Sequence, residues 1–131
     1  MAQFLIMCSQ GTQTSINGAL FTAIQLKDMG VDAVVEFGQE SLVALAEKVF
    51  MLSPLLSTYA QTLITNSKEM GYPTDPLATL KLAKALGVSV YTAEPWVEVL
   101  GIRDKLPEEI EILSLAETMK LIAESEKHIS V

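Results

Sequence analysis

Residues 88–102 read Val-Ser-Val-Tyr-Thr-Ala-Glu-Pro-Trp-Val-Glu-Val-Leu-Gly-Ile, and the fold turns on how this stretch is divided. Val88–Ala93 is rich in β-branched and aromatic residues and reads as a strand. Glu94-Pro95 opens a new amphipathic segment that ends at Gly101, with proline at the first helical position and glycine just beyond the last turn. A strand feeding directly into a helix is half of a β-α-β crossover. In open α/β sheets ligands sit beyond the carboxyl ends of the strands, so Ala93 occupies the place where a reactive side chain is expected. A methyl group is not one.

The same alternation extends in both directions. Phe4-Leu-Ile-Met-Cys8 is a continuous apolar run closed by Ser9-Gln10-Gly11, as in a strand covered on both faces of a parallel sheet. Thr12, Thr14 and Ser15 offer N-caps to a helix carrying Ile16, Ala19, Leu20, Ala23 and Ile24, with Gly30 as its stop. Asp32–Phe37 is a second strand, and Ser41–Phe50 resumes the helical period. Asp75-Pro76 starts a helix that runs to Gly87. Beyond Gly101, Glu111–Leu115 predicts a fourth strand, Ala116–Ser125 a last helix and His128–Val131 a closing strand. Strands alternating with helices at this interval imply right-handed crossovers, a parallel sheet and helices on both faces. The stretch 53–76 breaks the rhythm: Pro54, Pro73 and Pro76 punctuate it, yet Leu55, Leu56, Tyr59, Leu63 and Ile64 form a helical stripe. It reads as a helical insertion in a single domain, suited to an interface or a lid.

Composition narrows the function. The 131 residues carry a net charge of -7, which repels nucleic acid and anionic lipid rather than collecting them. Half of the residues are hydrophobic and the mean hydropathy is +0.35, high for a small soluble domain, and oligomerisation is the natural outlet for that surface. A single cysteine, Cys8, cannot form an intramolecular disulfide and points to a reducing cytoplasm. No apolar stretch reaches the length needed to span a bilayer.

The strand tips carry the candidate chemistry. Cys8, Ser9, Gly11 and Thr12 combine a thiol, hydroxyls and backbone amides at a helix N-terminus, where anions gain and thiol pKa values fall. Against this stands the simpler reading of Cys8 as a small core residue and of Thr12 as a cap. The spacing from Gly11 to Gly18 matches neither the dinucleotide fingerprint nor a P-loop. At the third tip, Thr92, Ala93, Glu94 and Trp96 supply pocket walls, with Glu94 equally explained as a helix-dipole partner and Trp96 as a packing or interface residue. His128 has no ligands at metal spacing around it, so neither metal nor cofactor is expected.

Taken together, "FLIMCSQGTQTSINGALFTAIQLKDMGVDAVVEFGQESL", "GVSVYTAEPWVEVLGI" and "EEIEILSLAETMKLIAESEKHISV" resemble the DsrE/DsrF-like family, which includes YchN-like and Tus-type sulfur-relay proteins. The resemblance covers most of the chain apart from about 53–76. It implies a three-layer α/β/α sandwich around a five-strand parallel sheet, and trimers or hexamers. It also implies a strand-tip cysteine that accepts and passes on sulfane sulfur as a persulfide, and the position matching that cysteine is Ala93. Three functions follow as expectations: a non-catalytic oligomeric or accessory member of sulfur trafficking, a persulfide carrier acting through Cys8, or a small-ligand (anion) binding module at the strand edge. Expected partners are further copies, related subunits or a sulfur-carrier protein.

Overall fold

The computed structural model describes residues 2–131. Five strands, β1 (Phe4–Cys8), β2 (Ala33–Phe37), β3 (Ser89–Ala93), β4 (Glu111–Leu113) and β5 (Lys127–Ser130), form one sheet in the order β4-β3-β2-β1-β5. All pairings are parallel, as the alternation of strands and helices predicts. The first four strands step across the sheet in one direction, and β5 then returns to the far side of β1.

Residue alternation along each strand decides what each face buries. Ile6, Cys8, Val35, Phe37 and Val90 point to one face, where α1 (Gln13–Asp28), α2 (Gln39–Glu47) and α5 (Pro76–Ala85) cover them with Ile16, Leu20, Leu42, Leu45 and Leu80. On the other face Leu5 and Val34 meet Leu121 and Ile122 of α7 (Leu115–Glu124). That is a three-layer α/β/α sandwich. The second layer is thinner, so Met7, Glu36 and Tyr91 on that face are only partly buried.

Two short helices, α3 (Pro54–Ser57) and α4 (Ala60–Glu69), occupy the insertion, and neither buries a residue. Met51, Leu55, Tyr59, Ile64 and Met70 are all exposed there. The short α6 (Glu94–Leu100) follows β3 directly and stops at Gly101, whose φ of +64° is left-handed, the conformation glycine adopts without a Cβ penalty.

Element ends shift from the sequence pattern by one to three residues, and at the ends of α2 and β4 the cause is visible. α2 stops at Glu47, short of Phe50, because Lys48 takes the left-handed conformation at φ 59°. Met51 then runs beside Thr12, its carbonyl accepting from the Gln13 amide at 2.8 Å. β4 stops at Leu113 because Ser114 is a cap: its hydroxyl accepts from the Glu117 amide at 3.1 Å, and the Glu117 carboxylate accepts from the Ser114 amide at 2.9 Å. Two of the orphan donors at the helix start are thus satisfied.

Candidate functional site

Beyond the carboxyl ends of β1 and β2 lies a cavity of about 230 Å³ lined by Met7, Cys8, Ser9, Glu36, Gly38, Gln39, Trp96 and Ser130. Its position follows from the sheet register. Met7 lies opposite Glu36 in β2 and Ser130 in β5, and Glu36 lies opposite Tyr91 in β3, so these side chains form a row across the thinly covered face.

The loop geometry that frames the cavity is set by Ser41. Its hydroxyl sits 2.7 Å from the carbonyl oxygens of both Cys8 and Gly38 and donates to one of them, and it accepts from the Gly38 amide at 3.2 Å. The Ser41 amide also donates to the Ser9 carbonyl at 3.1 Å, tying α2 to the end of β1. Gly38 lies against the Trp96 indole, whose Cδ1 and Nε1 are 3.3 Å from where a Cβ would stand. Gln39, next in the chain, has a φ of 55°, an unusual conformation for a residue with a side chain and one that concentrates at functional sites.

Glu36 is the charged group of this cavity. Its Oε2 is buried and has no hydrogen-bond partner, and burial raises its pKa above the ordinary 4.5. One oxygen of the half-buried carboxyl is thus withdrawn from solvent without a partner, which disfavours the charged form. Because the folded state holds this proton more tightly than the unfolded chain, stability falls as pH rises from 4.5 through the folded-state value. Glu36→Gln is expected to raise stability near neutral pH by roughly 0.5–1 kcal/mol and to give no gain below the ordinary carboxylate pKa. Urea melts at both pH values check this, and a gain that does not change with pH would refute the assignment.

Of the residues singled out in the sequence, Cys8, Ser9 and Trp96 line this cavity. Cys8 is at the same time a core residue. The residue is 2 % exposed and belongs to the core cluster beneath α2, with Sγ donating to the Gln10 carbonyl at 3.5 Å. Burial is the largest influence on this thiol, ahead of its hydrogen bonds to Ser41 and Gln10, and pushes its pKa up to about 11. A helix N-terminus lowers the pKa of a thiol that faces it from solvent; this one faces the core.

The remaining candidates stand apart from the cavity. Gly11 packs against the first turn of α2, where a Cβ would meet the Glu40 carbonyl oxygen at 2.8 Å, so its lack of a side chain serves close packing. Thr12 caps α1, its Oγ1 accepting from the Ser15 amide at 3.3 Å. Thr92 is fully buried with Oγ1 unpartnered, and Ala93 is buried at the N-cap of α6. Glu94 is exposed and pairs with Arg103 at 3.4 Å, while Arg103 also binds Glu98. His128 is exposed, with Nε2 2.9 Å from the Ile122 carbonyl. Among the described residues no group of three potential metal ligands comes together, and no helix is long and apolar enough to cross a membrane. Sequence reasoning passed over Glu36, although one signal was present: it is the lone charge inside the otherwise apolar run Ala33–Phe37, in a parallel strand whose neighbours call for apolar residues.

No protein-family model matches this chain, and no curated protein matches it in sequence. Among solved structures, the crystal structure of the ychN protein from E. coli aligns with 100 % of this chain and 100 % of its own, at 18 % sequence identity and a TM-score of 0.67. The protein therefore has the YchN-like α/β/α fold.

Proposed function

We propose that this protein is a non-catalytic relative of the DsrE/DsrF-like sulfur-relay proteins, acting in cytoplasmic sulfur trafficking as an accessory or oligomer-building subunit. One observation carries the reading: the strand tip expected to hold a persulfide cysteine ends in buried Ala93, and the chain's single thiol is 2 % exposed. Persulfide formation needs a thiolate that a sulfur donor can reach. Cys8, with its pKa pushed up to about 11, is neither ionised nor open near neutral pH. The exposed apolar residues at 51–72, among them Leu55, Tyr59 and Met70, support assembly into a homo-oligomer, a trimer or hexamer, or docking to related subunits or a sulfur carrier.

The test is chemical. Native protein incubated with thiosulfate or polysulfide and then measured by intact mass is expected to gain no sulfur atom, and light scattering at micromolar concentration is expected to show an oligomer. A sulfur adduct lost in Cys8→Ala, or a monomer, would overturn the reading.

A second reading, a small-ligand binding module, is favoured by the cavity itself. The unpartnered Glu36 carboxyl and the Trp96 indole both line a space of about 230 Å³, and the unpartnered negative charge favours cations over the anions expected from the strand-tip hydroxyls. Trp96 fluorescence titrated against a panel of small cations and anions distinguishes these, and a flat response leaves the accessory reading alone.

A further inference from the structure

A second cleft, sharing no lining residue with the strand-edge cavity, lies between α1 and the insertion helix α4 and has a volume of about 470 Å³. That is within the range of sites for small organic ligands. Gln13, Asn17, Gly18 and Phe21 of α1 form one wall, and Leu63 of α4 with Tyr72 forms the other. The α1 positions recur at helical spacing on one side of the helix.

Gln13 Nε2 and Asn17 Nδ2 both donate to the Thr74 carbonyl, at 2.7 and 2.9 Å, which pins the chain after α4 to α1. The Phe21 and Tyr72 rings meet edge to face with centroids 5.4 Å apart, a preferred aromatic geometry. Asn17 Oδ1 is enclosed behind this wall and has no hydrogen-bond partner.

Gly18 shows what the cleft is shaped for. A Cβ placed on it meets nothing within 4 Å, so no neighbouring group requires a glycine there. A glycine inside a helix costs roughly 0.5–1 kcal/mol relative to alanine. What it provides in return is room on the α1 wall.

Chemistry of the wall selects the ligand class. In a chain of net charge -7, none of the side chains lining this cleft is charged. A charged ligand would leave water without a counter-charge to meet it, whereas a neutral apolar one gains from the Phe21, Leu63 and Tyr72 surfaces. We propose that the cleft between α1 and α4 binds a neutral, mostly apolar small molecule. This site is independent of the strand-edge cavity and of the sulfur-trafficking reading.

The probe is N-phenylnaphthylamine, a neutral aromatic amine whose fluorescence rises in apolar surroundings. Wild-type protein is expected to give a saturable rise. Gly18→Leu, which fills the open space, is expected to weaken binding by at least about 10-fold, equivalent to 1.4 kcal/mol, with an unchanged circular dichroism spectrum and an equal or higher melting temperature. Gly18→Ala, adding only a methyl group, weakens it less. Val99→Asp, on the exposed surface of α6, leaves binding unchanged, and anilinonaphthalene sulfonate, a related ring system bearing a negative charge, binds at least about 10-fold more weakly. The proposal is overturned if no saturable rise occurs, if folded Gly18→Leu binds like wild type, if Val99→Asp abolishes binding, or if the sulfonate binds equally well.

Discussion

Near neutral pH, Cys8 of the folded protein is expected to react with iodoacetamide at least about 100-fold more slowly than in the guanidinium-unfolded chain. Its pKa of about 11 against an ordinary 9.0 lowers the thiolate fraction by roughly a factor of ten per unit. Enclosure adds to this, since the residue is 2 % exposed beneath α2. The sign of the linked stability effect is fixed by the same shift. Above 9.0 the unfolded thiol ionises while the folded one keeps its proton, so stability falls between 9.0 and about 11 with a limiting slope of about 1.4 kcal/mol per pH unit. Cys8→Ala should lack this component. Equal labelling rates in folded and unfolded protein would show an open, reactive thiol and reinstate the persulfide carrier.

Phe37→Ala is expected to lower the unfolding free energy by about 3–5 kcal/mol in urea melts, the usual cost of removing a buried aromatic ring. Phe37 is fully buried and ends β2 beside Cys8 in β1 and Thr92 in β3. Against a typical total of about 5–15 kcal/mol, that is a large share of the stability of a domain. The cavity left behind borders the cluster that encloses Cys8, so the variant should also label faster with iodoacetamide at denaturant concentrations where it is still folded. A loss below about 1 kcal/mol would contradict the packing described for this position.

The sheet was readable because its signals are local. Five apolar or β-branched runs separated by helical stripes and glycine stops leave few alternatives to a parallel sheet, and the strands all lie where those runs predict. The grouping at the strand edge was not, because it depends on pleat and register. Cys8 and Met7 are neighbours in sequence yet face opposite layers, and no periodicity in a five-residue apolar run tells which of the two faces the thicker one. Glu36 joins the cavity through its register with Met7 and Tyr91, a relation between residues far apart in the chain. Gly11 looked like part of an anion-binding loop because glycine permits many roles; contact with the Glu40 carbonyl identifies which one it fills. The α1–α4 cleft was hidden for a similar reason, since the Leu63 stripe marks α4 as amphipathic without saying how closely it approaches α1.

The placement of β5 has a consequence for how the protein is made. β1 sits between β2 and β5, with Phe4 paired to Lys127 and Leu5 to His128, so β1 keeps one edge unpaired until the last strand of the sheet has been synthesised. Every intermediate on that route presents the apolar run Phe4–Cys8 with free backbone donors and acceptors, the kind of template on which chains add to one another. Slowing translation between β4 and β5, or depriving the nascent chain of a chaperone, should therefore reduce soluble yield far more than the stability of the finished fold would suggest.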